Sequence, residues 1–150
     1  MKLLETFNFV GSYMVLITTL IILCILYKSS STFKISLYLK YLFIGGVINL
    51  ILKHIIREPR PMDMNRFGLG YKYGMPSGHT QFIVFNINIL LYLLYSIGLK
   101  KNILLWAIIV GFFTIIITGY HRVYFGYHTL NQTLIGGIIG LILSLIMIEN

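Results

Sequence analysis

Five runs of about twenty apolar residues, joined by short polar connections, constrain this chain more than any other feature it has. A hydrocarbon core about 30 Å thick takes roughly 20 residues of helix to cross, and in a bilayer only helices and closed barrels satisfy their own backbone polar groups. The runs are expected at about Phe7 to Tyr27, Ile35 to Arg57, Pro76 to Leu99, Asn102 to Tyr120 and His128 to Ile148. The first is too long for a secretory signal peptide and lacks a small-residue cleavage site, so it reads as an anchor helix that stays. The second must stop where Pro59 and Pro61 remove backbone donors and push the residues before them out of helical geometry. The third opens at Pro76 and Ser77, because proline suits a first helical turn. Composition agrees: 57% of the residues are apolar and 11% charged, which excludes an ordinary soluble enzyme and a disordered binding segment. The expected fold is all-α, an integral membrane bundle of five transmembrane helices. There is no internal repeat and no sign of a second domain, so residues 1–150 read as one membrane-embedded domain.

Five spans put the ends of helices two and four and the starts of helices three and five on one membrane face. All the unusual polar residues lie there. The connection from Glu58 to Met75 is the long one, and long connections in compact proteins tend to carry function. In the fifth run Gly136, Gly137 and Gly140 form a small-residue face on which a neighbouring helix can pack closely.

The net charge of +8 comes from 12 Lys and Arg against 4 acids. Part of it is topological, since membrane proteins carry basic residues at helix ends. Lys28, Lys34, Lys100 and Lys101 on one face balance Lys2, Arg57, Arg66 and Lys72 on the other, so charge does not orient the chain. The remaining cations point to an anionic substrate. Glu5, Glu58, Asp63 and Glu149 are scattered, with no pair at the spacing a Mg2+ site for diphosphate chemistry needs. Cys24 is the sole cysteine, so neither an intrachain disulfide nor a cysteine zinc site is available. No metal, cofactor or nucleic-acid partner is expected.

Three short segments converge on the polar face. Lys53 and, after six residues, Arg60-Pro61 straddle the end of helix two. Pro76-Ser77-Gly78-His79 opens helix three, where unpaired N–H groups and the positive end of the helix dipole favour phosphate and Gly78 allows close approach. Arg122 and, after five residues, His128 bridge helices four and five. Taken singly, each has a plain reading as interfacial cations, a helix cap or a packed histidine, and His54 and His121 keep that reading.

Together the Lys-x6-Arg-Pro, Pro-Ser-Gly-His and Arg-x5-His segments, in this order and on these helix ends, resemble the type 2 phosphatidic acid phosphatase superfamily of metal-independent membrane lipid phosphatases. The resemblance covers about residues 35–145. Family members commonly have six spans, so five implies one peripheral helix fewer. The superfamily usually has Ser before the arginine and Asp four residues after the histidine, where this chain has His121 and Gln132. Glutamine is usual in the dolichyl diphosphate phosphatase branch. That branch carries Gly-Met-Pro-Ser-x-His-x-Gln-Phe, matched by Gly74 to Phe82, and Arg-Val-Tyr-x-x-Tyr-His-Thr-x-x-Gln, matched by Arg122 to Gln132.

The resemblance implies that His128 is the nucleophile that forms a phosphohistidine and that His79 protonates the leaving oxygen. Lys53, Arg60, Arg122 and the Ser77, Gly78 and His79 backbone would bind phosphate and stabilise charge on its equatorial oxygens. Gln132, four residues beyond His128 and expected on the same helical face, would orient the imidazole without bringing negative charge. His128 would then be less basic than in Asp-bearing relatives, which a diphosphate with its good leaving group tolerates. The implied substrate is a polyprenyl diphosphate, dolichyl diphosphate before undecaprenyl diphosphate or a broader lipid phosphate. The implied location is the endoplasmic reticulum membrane with a lumenal site, or the bacterial inner membrane with a periplasmic one. A non-catalytic lipid-phosphate-binding scaffold is the alternative of a different class; it predicts a lost nucleophile or acid, and both histidines are present.

Overall fold

The computed structural model describes residues 2–62 and 72–150, with side chains from Ser12 onward. Asp63 and Arg66, named above among the acids and the face charges, lie outside the described residues, as do the side chains of Lys2 and Glu5. Five long helices follow one another: α1 (Lys2–Lys28), α2 (Thr32–Ile56), α3 (Gly78–Ser96), α4 (Lys101–Tyr124) and α5 (Leu130–Glu149). Among the described residues α2, α4 and α5 are long and apolar enough to cross a membrane. The described part of α1, Ser12–Lys28, is a shorter apolar helix. In α3 the apolar residues share the helix with buried Thr80, Gln81 and Asn86, which face other helices instead of lipid. Outward faces carry large apolar side chains such as Phe43, Trp106 and Phe112, the pattern of helices solvated by lipid. This is an integral membrane protein.

Local chemistry sets the helix boundaries. Ser31 caps α2, its hydroxyl accepting from the Lys34 amide at 3.3 Å. The helix ends at Arg57, whose φ of 54° is left-handed and whose N–H donates to Lys53 O at 3.0 Å, directly before Glu58-Pro59. Several boundaries differ from expectation, and two of these place site residues. α4 runs on to Tyr124, because the chain turns only at Gly126, whose φ of 68° suits glycine. Arg122 therefore belongs to its last turn. α5 starts at Leu130 with Thr129 as N-cap, so His128 sits in the connection and not on the helix. A Thr-x-x-Gln capping box sets this start: Thr129 Oγ1 accepts from Gln132 N and Gln132 Oε1 from Thr129 N, each at 3.2 Å.

α3 is the hub and packs most extensively on α5. Cβ atoms at Gly136 and Gly140 would overlap the Ser77 and Gln81 carbonyl oxygens, so the two backbones can approach only because side chains are missing there. At the end remote from the polar face, Ile22, Leu26, Tyr38, Phe85, Ile89, Leu93 and Leu143 form the apolar core. A buried polar group follows, in which Asn86 accepts from Tyr38 OH at 3.0 Å and donates to Thr18 and Thr19 Oγ1 at 2.9 Å each, tying α1 and α2 to α3.

Gly136→Ala and Gly140→Ala should each destabilise the fold by about 1–3 kcal/mol through overpacking, while Gly137→Ala, whose Cβ would meet only side chains at 3.7 and 3.8 Å, should be neutral. Thermal unfolding in detergent measures this, and equal melting temperatures for all three variants would contradict the packing.

Candidate active site

Four helix ends meet on the polar face: the C-termini of α2 and α4 and the N-termini of α3 and α5. Glu58 to Met62 docks across them. Met62 N–H donates to Gly126 O at 2.9 Å, Gly74 N–H donates to Glu58 O at 2.8 Å, and Pro59 bridges to Tyr73. The docked segment carries Arg60, whose Nη1 donates to Tyr127 O at 3.0 Å and lies 3.1 Å from His128 Nε2.

That contact fixes the state of His128. A guanidinium can only donate, so Nε2 must accept and the ring proton sits on Nδ1, which lies 3.2 Å from Gln132 Oε1. The carboxamide of Gln132 is oriented on every side. Its oxygen accepts from His128 Nδ1 and Thr129 N, and its nitrogen donates to Glu58 Oε1 at 2.8 Å and Pro59 O at 2.9 Å. Gly74 makes room for it, since a Cβ there would overlap the carboxamide. The expected contact between His128 and Gln132 is present, but it arises from the capping box and the preceding loop, not from a shared helical face. The glutamine also has a physical reason: an acceptor-only carboxylate at position 132 would face the Glu58 carboxylate and the Pro59 carbonyl.

The other expected site residues are brought to the same end of the bundle. Buried Arg122 stacks its guanidinium 4.2 Å from the centre of the Tyr127 ring, and its Nε has no hydrogen-bond partner among the described residues. Its carbonyl accepts from His128 N at 3.0 Å, so the two residues share one turn. His79 lies within electrostatic range of both Arg60 and Arg122, and so does His128. His121 is fully buried and packs on the Phe125 and Tyr127 rings, with centroids 4.9 and 6.0 Å away. His54 is exposed and contacts its own helix at Leu50 O.

Two residues expected to bind phosphate have other partners here. The Ser77 N–H donates to Gln132 O at 2.9 Å, which leaves the Gly78, His79 and Thr80 amides as the first-turn donors without an intrahelical acceptor. Lys53 Nζ donates to Pro76 O at 2.6 Å and reaches Tyr73 O and Gly74 O at 3.4 Å each, so it ties down the approach to α3. Asn49 joins it, donating to Gln81 Oε1 at 2.7 Å, while Gln81 Nε2 donates to Gly45 O at 2.8 Å. Sequence reasoning passed over Asn49 and assigned no separate role to Gly74, Gln81 and Tyr127, which stand in the two matched stretches. It also counted Glu58 only as a scattered acid. The Thr129-x-x-Gln132 capping pattern and the adjacency of Glu58 to Arg60 were the available signals. Among the described residues no three His, Cys, Asp or Glu side chains cluster as metal ligands.

Residues 34–149 match the model of the PAP2 superfamily. The chain belongs to that superfamily. Curated relatives of this PAP2 chain include dolichyldiphosphatase 1 from Rhinolophus ferrumequinum, 36% identical over 116 residues that make up 69% of this chain and 49% of the relative. The Dictyostelium discoideum dolichyldiphosphatase 1 is 38% identical over 119 residues, 75% of this chain and 49% of the relative. The Saccharomyces cerevisiae dolichyldiphosphatase is 31% identical over 103 residues, 63% and 42% of the two chains. This PAP2 chain thus spans about half the length of the curated relatives it matches. These relatives bear out the branch resemblance read from the two motif stretches. A solved transmembrane PAP2-type phosphatidylglycerolphosphate phosphatase from Bacillus subtilis shares the fold, with a TM-score of 0.76 at 19% identity over 97% of this chain and 73% of that one.

Burial first, then the Arg60, Arg122 and Lys53 cations, push the His128 imidazole far below its ordinary value, so it is neutral at physiological pH. Gln132 offsets this only in part. The unfolded chain takes up a proton at His128 near its ordinary value of 6.5, whereas the folded chain does not. Stability from this residue is therefore complete above that pH and is lost as pH falls below it, by up to about 1.4 kcal/mol per pH unit. Melting temperatures recorded from about pH 7 to about pH 5 should fall more steeply for wild type than for His128→Asn. Parallel curves would contradict a neutral buried imidazole.

Proposed function

We propose that this PAP2 chain is a membrane phosphatase that removes the terminal phosphate of a polyprenyl diphosphate, converting dolichyl diphosphate to dolichyl phosphate. The observation that carries the reading is the His128 ring, with its Nδ1 proton held by Gln132 and its Nε2 lone pair facing the Arg60 guanidinium. A phosphate taking over the Arg60 donors would bring phosphorus beside the one nitrogen able to attack it. The names of the relatives supply the substrate class.

In the proposed reaction His128 Nε2 attacks the terminal phosphorus. The N–P bond forms as the bridging P–O bond breaks, and the leaving dolichyl phosphate oxygen takes a proton from His79, which the bound diphosphate must hold as imidazolium against the burial and the Arg122 charge that lower its pKa. Water then attacks the phosphohistidine, giving its proton to His79 and releasing inorganic phosphate with His128 restored. Arg60, Arg122 and the Gly78 and His79 amides stabilise charge on the equatorial oxygens, with the Ser77 turn shaping that helix start. Lys53 contributes by holding the Pro76 carbonyl and by its charge. The step uses no metal or cofactor. Buried Arg122 Nε, without a hydrogen-bond partner among the described residues, is the donor best explained by an anion. The substrate tail would lie among the lipid-facing helices, and the product would return to service as a glycosylation lipid carrier at the lumenal face of the endoplasmic reticulum.

Phosphate release from dolichyl diphosphate, undecaprenyl diphosphate and phosphatidate, in detergent with EDTA, tests this. Dolichyl diphosphate should be the best of the three, and His128→Ala should lose more than about a thousandfold in rate. Turnover that requires Mg2+, or that survives His128→Ala, would overturn the mechanism; preference for phosphatidate would move the substrate class toward simpler lipid phosphates.

A further inference from the structure

The half-buried carboxylate of Glu58 lies one hydrogen bond beyond the residue that holds the nucleophile. It accepts from Gln132 Nε2 at 2.8 Å, and Gln132 Oε1 in turn lies 3.2 Å from His128 Nδ1. The same residue's backbone carbonyl accepts from Gly74 N–H at 2.8 Å, which anchors Glu58 independently of its side chain. Beside His128 this chain thus has a neutral amide with an acid behind it.

We propose that Glu58 is a positioning residue for His128, acting through Gln132 to hold the ring by its Nδ1–H and to face the imidazole with a carboxylate at one remove. This rests on the phosphatase reading above. The chemistry is that of an amide relay. A carboxamide has one accepting and one donating end, so an acceptor on its nitrogen fixes its oxygen toward the ring N–H. Pro59 O supplies one such acceptor and Glu58 Oε1 the other. Of the two, only Glu58 carries charge, and its carboxylate polarises the amide so that Oε1 becomes a better acceptor as positive charge grows on His128 during attack. Without it, the amide oxygen is a weaker acceptor, and the Nδ1–H of His128, whose tautomer the Arg60 contact sets, is held less firmly.

The test is a cycle of variants in the full chain. Glu58→Gln keeps the size and an accepting oxygen but loses the charge. It should lower kcat about tenfold or more with KM within about twofold, in the range seen when partners behind an orienting contact are removed. Gln132→Glu alone, of the same length, sets two carboxylates against each other and should also lose activity. The double variant Glu58→Gln with Gln132→Glu puts a donating amide behind an accepting carboxylate, leaves only the Pro59 carbonyl facing it, and should recover at least about tenfold over Gln132→Glu. Such rescue does not arise from a folding defect, so it decides the matter even if Glu58→Gln melts early. Losses in the double variant equal to the product of the single losses, or wild-type kcat in Glu58→Gln, would overturn the proposal.

A readout without substrate separates this from failure of the phosphatase reading. In 15N-labelled protein His128 should stay the Nδ1–H tautomer that the Arg60 contact sets, with its Nδ1–H proton resonance moving upfield in Glu58→Gln as the bond to Gln132 weakens. If no dolichyl diphosphate is hydrolysed, the substrate reading falls, and the Nδ1–H resonance still decides the role of Glu58: an unshifted proton in the variant would overturn it.

Discussion

The Gln132 carboxamide makes four hydrogen bonds that reach the α4–α5 connection, the cap of α5 and the segment after α2. Each one depends on the others. The capping box starts α5 at the residue where Gln132 can reach back to His128, and the acceptors at Glu58 and Pro59 decide which end of the amide faces the imidazole. Its backbone carbonyl meanwhile accepts from Ser77 N, which brings the start of α3 to the same point. A saturated buried amide of this kind stiffens a site, whereas one unsatisfied end would carry a desolvation cost of about 1–3 kcal/mol.

The same constraint runs through the rest of the bundle. Polar groups inside a membrane protein have little water to turn to, so each needs a partner from a neighbouring helix. Asn49 donates to Gln81, Gln81 to the Gly45 carbonyl and Lys53 to the Pro76 carbonyl, and by doing so they set the depth of α3 against α2. Asn86, Tyr38 and the threonines of α1 repeat the arrangement toward the apolar core. Glycines 136 and 140 let α5 come close enough for its first turn to meet Ser77. Arg60, carried in on a docked segment instead of a helix, completes the enclosure of His128.

Much of this was legible in the sequence because hydropathy and helix punctuation are local. The apolar runs gave five helices, the two prolines after Arg57 ended α2, and the spacing of Lys53, Arg60, His79, Arg122 and His128 put them on one face. The end of α4 was misplaced by four residues because an apolar count stops at Tyr120, whereas the backbone turns only at Gly126. His128 was placed on a helix for the same reason, although Thr129 is the better N-cap. The partners of Glu58, Ser77 and Lys53 were not legible, because each bond joins residues more than twenty positions apart and follows from how the helices pack.

The central claim is that His128 is held with its proton on Nδ1 so that Nε2 attacks phosphorus. The direct measurement is rapid quenching of turnover with dolichyl diphosphate labelled in its terminal phosphate, followed by location of the label on the chain and on the ring. The account predicts a single acid-labile phosphohistidine at His128, with phosphorus on Nε2. Label on Nδ1, on another residue, or on none while phosphate is still released would contradict it.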